Sequence, residues 1–273
     1  MEEKTPLMSL NSHYLQSVVV ELRAAKPGNP PATLGRAIHA LVLNWVKSNN
    51  EQLAATIHDG QVSPWSLSGL FGNRRSRKNL AGDYFYFRIG ILDTQLIQPL
   101  LMGIAMWGTQ PIVLGKFPFV MTRVYASPDG HPLSALSSYE ILATAMPTQA
   151  DIYLEFVSPT SFKQKQLVQT FPLPDLVFSN LWRRWNAFAP EELQFAPVEW
   201  EGFVAAYELK THALKLEGST EIGAQGWVRY RFADEEQTRI ANILARFAFF
   251  AGVGRKTTMG MGQTQLMVEG KLK

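Results

Sequence analysis

Apolar residues in this chain gather into short runs separated by Gly, Pro, Asn and Asp, and the period of each run predicts its element. Residues 14–23, centred on Val18-Val19-Val20, read as a strand. The Pro- and Gly-rich stretch 26–31 breaks it, and Thr33 is the expected N-cap of a helix running through Ala37, Leu41 and Val42 to Val46. Ser48-Asn49-Asn50 then turns the chain into a shorter helix over 51–58, stopped by Asp59-Gly60. A polar, basic loop follows as far as Gly82. Residues 83–90 are dense in aromatic side chains and read as a strand. Residues 94–106 predict a helix with Pro99 as a kink point, and 112–125 a strand or hairpin.

The second half opens after Pro128-Asp129-Gly130 and a polar stretch to Ser138. Residues 151–157 alternate as a strand, and 175–188 are helical with Trp182 and Trp185 on nearly one packed face. Strands follow at 203–216 and 227–232, with Gly223 and Gly226 read as the turn between them. Residues 234–250 form an amphipathic helix, with Ile240, Ile243, Leu244 and Phe247 at helical spacing. A glycine-rich loop leads to a last strand at 263–268. The first half therefore reads β-α-α-β-α-β, its second helix short, and the second reads β-α-β-β-α-β, and the halves share no sequence self-similarity. Two such units in tandem predict an α+β chain of two ferredoxin-like (RRM-like) domains, 1–127 and 128–273.

Composition narrows the function classes. With 273 residues, 46% of them hydrophobic, the chain can bury a sizeable core. It has no cysteine, which removes disulfides, thiolate nucleophiles and Cys-ligated zinc, and suits a cytoplasmic location. The apolar stretch 89–106 is interrupted by Asp93, Gln95, Gln98 and Pro99, so no membrane span is expected, and residues 1–4 lack the start of a signal peptide. The net charge is only +3, but cations cluster at Arg74-Arg75-Ser76-Arg77-Lys78, at Arg183-Arg184 and at Arg255-Lys256. Three clusters in one chain point to a polyanionic partner.

The most specific segment is the loop 252–262, where Gly252, Gly254, Gly260 and Gly262 flank Arg255, Lys256, Thr257 and Thr258. Glycine lets backbone N–H groups turn toward a phosphate, cations neutralise it and hydroxyls donate to it. The loop follows its helix instead of opening one, so it is neither a dinucleotide fingerprint nor a Walker A loop. Arg229 and Arg231 share one strand face and read either as an RNA groove or as a salt-bridged surface. Tyr84 to Phe87 read mainly as core, since no RNP1-type octamer surrounds them. Asp59, Asp83 and Asp93 do not form a carboxylate set, and neither a metal nor a cofactor is expected. His58 closes a helix beside Asp59-Gly60, whereas His39, flanked by Ile38, Ala40 and Leu41, reads as a core-edge residue.

A helix followed by a short helix that ends in Ile57-His58-Asp59, with a G-x-G-x-x-x-x-x-G-x-G loop far downstream, resembles the CRISPR repeat-processing endoribonucleases, the Cas-six family of the RAMP superfamily. The topological likeness covers nearly the whole chain, and the residue-level likeness lies in 44–59, 64–70 and 252–262. The resemblance implies tandem ferredoxin-like domains that bind repeat RNA (pre-crRNA). It also implies metal-independent cleavage by attack of a ribose 2′-OH on the adjacent phosphate, giving a 2′,3′-cyclic phosphate and a 5′-OH. The family's helix-terminal histidine falls on His58, as general base or acid, since an imidazole titrates at about pH 6.5. Leu43 stands where some members have a tyrosine, and no lysine lies between His58 and Lys78. Ser66, Ser68, Arg74, Arg75 and Lys78 are the substitutes, with Ser68 and Arg75 set beside His58 as catalytic candidates. Arg74, Arg77 and Lys78 are assigned to RNA binding with Arg229, Arg231 and the glycine-rich loop. The rival expectation is a non-catalytic RNA-binding subunit of a CRISPR effector complex, whose other proteins would then be partners. Monomer and homodimer are both compatible with the sequence.

Overall fold

The computed structural model describes residues 13–72, 78–145, 148–216 and 219–267. In chain order the first part holds β1 (Tyr14–Ala24), α1 (Gly35–Asn49), α2 (Glu51–Asp59), β2 (Trp65–Leu67), β3 (Phe71–Gly72) and β4 (Tyr84–Ile91). It continues with α3 (Ile97–Trp107), β5 (Ile112–Leu114), β6 (Phe117–Tyr125), β7 (Ala135–Ser138) and α4 (Tyr139–Thr144). The second part holds β8 (Ile152–Thr160), β9 (Phe162–Gln164), β10 (Leu167–Gln169), α5 (Pro174–Phe188), β11 (Gly202–Leu216), β12 (Ser219–Phe232), α6 (Glu235–Ala251) and β13 (Thr264–Met267).

The strand orders are β2-β4-β1-β6-β5 and β11-β12-β8-β13, with every neighbouring pair antiparallel. In each sheet the first strand of the unit lies between the third and the fourth, which is the split-βαβ order of the ferredoxin-like fold. The fold class is therefore as the sequence reading expects. β7 pairs with β1 in the first sheet, so the expected division at 127/128 precedes a strand of that sheet.

One core packs α1 and α3 on the first sheet through Val18, Val20, Ile38, Trp45, Phe85, Phe87 and Ile104. The second joins β8 and β12 to α5 and α6, and it recruits Leu15, Leu92, Tyr139 and Leu142 from the first half. The two units thus share buried side chains. Phe85 and Phe87 are fully buried, while Tyr84 and Tyr86 face the other side and stay half-exposed, so the core reading holds for one pair of this strand. Trp185 is fully buried and Trp182 half-buried, its indole N–H donating to the Phe195 carbonyl at 3.0 Å.

Local chemistry corrects several sequence expectations. Leu34, not Thr33, caps α1, with no side-chain bond. Pro99 sits in the first turn of α3, where an N–H has no helical acceptor to lose, and so starts the helix instead of kinking it. Gly223 and Gly226 lie inside β12. Gly226 (φ +127°) marks a register shift against β8, and a Cβ there would stand 2.0 Å from the Glu208 carbonyl, so close strand approach explains a glycine that reads as a turn. The polar stretch before Ser138 contains β7, whose short run carries too few apolar residues to show a period. Among the described residues no helix is long and apolar enough to cross a membrane.

Candidate functional site

The glycine-rich loop leaves α6 with the Gly252 N–H bonded to the Ala248 carbonyl at 2.8 Å, and Gly252, Gly254, Gly260 and Gly262 have φ of 66°, 85°, 92° and 71°. Its amides are turned inward onto protein. Gly254 N–H donates to Asn180 Oδ1 at 2.8 Å, Arg255 N–H to the Ser161 carbonyl at 2.8 Å, and Gly262 N–H to the Pro159 carbonyl at 3.1 Å. Val253 N–H donates to the Gly262 carbonyl, and the amides of Met259 and Met261 to that of Lys256. The expected backbone phosphate cradle is corrected for these groups: they fix the shape of the loop. Gly262 illustrates the requirement, because a Cβ there would lie 2.1 Å from the Val253 carbonyl on a left-handed backbone.

That shape docks the loop on the first half. Leu67 N–H donates to the Thr257 carbonyl at 2.8 Å, Ser68 and Gly260 form a parallel bridge, and the first turn of α1 brings Gly35 against the Met259 backbone. Ser66 and Ser68 are fully buried. Ser66 Oγ donates to the Phe250 carbonyl at 2.6 Å, and Ser68 Oγ accepts the Arg88 N–H at 2.8 Å while donating to the Gly69 carbonyl. Ser68 is therefore corrected from a catalytic candidate to a stitch between the halves, since a fully buried hydroxyl with both roles filled meets no substrate.

Arg184 completes this joint. It is buried, and its guanidinium reaches the carbonyls of Ala251, Gly252 (3.5 Å), Ser63 (3.4 Å) and Trp65 (3.1 Å) and the Thr257 hydroxyl (3.3 Å). None of these partners is an acid. Burial pushes its pKa down to about 10, which still leaves it charged at neutral pH. Arg88 is likewise buried, with its pKa pushed to about 10, and it bonds Gln263 Oε1 and the Phe249 carbonyl (2.5 Å). Reading Arg183-Arg184 as one cation cluster missed this. The signal lies in the helical period, because Arg184 shares the α5 stripe of Leu181, Trp185 and Phe188.

Two imidazoles, on α1 and near the end of α2, lie close enough for one to feel the other's charge. His39 lies one turn beyond Gly35 on α1, half-buried, with its ring edge-on to Trp65 at 5.9 Å between centroids. Burial first, and then the nearby charge of His58, hold its pKa below the usual histidine range. His58 ends α2 with 73% of its side chain exposed and Nδ1 3.1 Å from Asp59. His39, expected at the core edge, is thus the imidazole with the more constrained setting.

Among the expected cations, Lys256 and Arg255 (3.2 Å) both pair with Glu221 of β12. The Lys256 hydrogen bond, and then the charges of Lys256 and Arg255, hold the Glu221 carboxyl below its ordinary pKa against the opposing effect of burial. Arg231 grips Asp151 through two bonds of 2.6 and 2.8 Å, and Arg229 approaches the same carboxylate at 3.8 Å, so the salt-bridged alternative describes this face. Lys78 is exposed, and Arg74, Arg75 and Arg77 lie outside the described residues. A cleft of about 770 Å³ opens beside the joint, between α5, the connection 61–63 and residues 254–258 of the loop.

The family model of the CRISPR-associated endoribonuclease Cas6 matches residues 154–264, a span that closes on the loop and β13. A CRISPR-associated endoribonuclease Cas6 of Mycobacterium tuberculosis (strain CDC 1551 / Oshkosh) is 26% identical over 240 residues, 85% of this chain and 71% of the relative. A Thermus thermophilus Cas6 solved as a product complex is similar with a TM-score of 0.81 at 27% identity, covering 94% of this chain and 100% of its own. A second Cas6, solved as a histidine-to-alanine mutant, has a TM-score of 0.72 at 26% identity over 93% of this chain and 99% of its own.

Proposed function

We propose that this chain, similar in sequence and fold to Cas6 endoribonucleases, binds CRISPR repeat RNA and cuts it by metal-independent transesterification. The observation that carries the reading is His39, half-buried against Trp65 of β2 on the helix whose first turn meets the glycine-rich loop, with His58 near enough for its charge to act on it. A lowered pKa keeps His39 neutral at pH 7, the form that takes a proton from a ribose 2′-OH. The O2′–P bond then forms as the P–O5′ bond breaks, and His58 is the general acid that gives the leaving 5′-oxygen its proton. The products are a 2′,3′-cyclic phosphate and a 5′-OH. Charge that builds on the phosphorane is met by the cations of the loop, and Arg75 in the basic segment is a further contributor.

The test is cleavage of labelled repeat RNA in excess EDTA, with mass analysis of both new ends. The expected result is one cut with a cyclic phosphate upstream and a free 5′-OH downstream. Tight binding without any cut would instead support the non-catalytic subunit of an effector complex.

The Glu221 contact gives a separate prediction. RNA phosphate has to displace this carboxylate from Arg255 and Lys256, so Glu221→Gln is expected to raise RNA affinity several-fold. The freed cations should also steepen the dependence of log K on log salt by about 1. Filter binding across a salt series reads both effects, and weaker binding would mean that Glu221 orients the cations for RNA.

A further inference from the structure

The cleft beside the joint is not absorbed by the catalytic reading. Its walls carry Lys163 and Arg183, both exposed, and its inner end is Arg184. Asp175 is the carboxylate lining it. Lys163 and Arg183 form no ion pair among the described residues, in contrast to Arg229, Arg231, Arg255 and Lys256. Arg184 adds a buried charge that only carbonyls and one hydroxyl offset, so the field inside the cleft favours an anion. Trp200 gives the cleft an aromatic wall: its ring is half-exposed and is held by Phe178 and Phe232, with centroids 5.4 and 5.6 Å away.

We infer that this cleft is a second RNA subsite, which takes an unpaired stretch flanking the repeat's paired region, with its phosphates on Lys163 and Arg183, in the field of the buried Arg184, and a base against Trp200. The inference rests on the RNA reading above. Size separates single strand from duplex: small-ligand pockets span about 300–1,000 Å³, so 770 Å³ holds one or two nucleotides but not a double helix. Cations along a groove with an aromatic platform are the ordinary means of holding single strands without reading their sequence. The subsite reaches the joint through Ser63 and Thr257, so an occupant is anchored beside the glycine-rich loop.

The probe is repeat RNA blocked by a 2′-deoxy at the cut, alone or extended by a short oligouridine on its 5′ or its 3′ side. With wild-type protein, one extension is expected to tighten binding about tenfold, and an abasic version of it to give a smaller gain. In the Lys163→Gln/Arg183→Gln double variant the gain should fall below about threefold, with a salt slope on that RNA lower by roughly 0.7 per cation removed. An extension that adds no affinity on either side would overturn the subsite while leaving repeat binding intact. Equal losses for extended and unextended RNA would overturn it as well, by placing these cations on the paired repeat. Wild-type protein that binds no repeat RNA would sink the functional reading itself, and the subsite with it.

Discussion

Replacing His39 by alanine is expected to slow single-turnover cleavage of repeat RNA by about 100-fold or more, within the range typical of a general base, and to leave RNA affinity within about twofold. Two features place the larger effect here and not at His58. The His39 ring is half-buried against Trp65, so its orientation is fixed without substrate. His58 is largely exposed and leans on its own neighbour Asp59, so the surrounding fold constrains its ring less. The coupling between them fixes the pH response. With neutral His39 as the proposed base, the rate should fall as pH drops through its pKa, which burial and then the His58 charge hold low. His58→Ala removes that charge, the His39 pKa rises, and the acid limb of the profile moves to higher pH. A His39→Ala variant that cuts at the wild-type rate would remove the imidazole pair from the mechanism.

Gly35→Ala is expected to destabilise the protein by about 2 kcal/mol, within the usual cost of overpacking. The sign is the informative part. In an exposed helix the same change adds about 1 kcal/mol of stability. At this position the new Cβ would stand 2.0 Å from the Met259 carbonyl, so either α1 or the glycine-rich loop has to move. Because the loop's shape depends on that docking, RNA affinity should fall together with stability. Gly69→Ala is the control: nothing lies within 4 Å of its Cβ, and the change should stay within about 0.5 kcal/mol. Urea midpoints measured beside RNA titrations compare the two. A stabilised Gly35→Ala would show that the loop does not depend on this contact.

The fold was legible because its longest elements carry clean periods. The predicted strand at 14–23 and the helix at 234–250 meet β1 and α6 within one residue at each end. Side-chain roles were legible only where the local pattern decides burial. Ser68 read as a free hydroxyl because nothing nearby in sequence shows that Arg88 and Gly260 close over it. Arg255 and Lys256 read as free cations because Glu221, which holds them, lies more than thirty residues away on β12. His39 looked like a core-edge residue, and it is half-buried; its tie to His58 arises only when α2 folds back against α1. Such long-range pairings leave no periodic trace.

The central claim is that a ribose hydroxyl of the repeat, not a metal-bound water, attacks the phosphate. Its most direct test is single-turnover cleavage in excess EDTA of two labelled repeat RNAs that differ only by a 2′-deoxy at the cut. The account predicts that the all-ribose RNA is cut and the deoxy RNA is bound equally tightly but left intact. Cleavage of the deoxy RNA, or cleavage of the ribose RNA that disappears with EDTA, would contradict it.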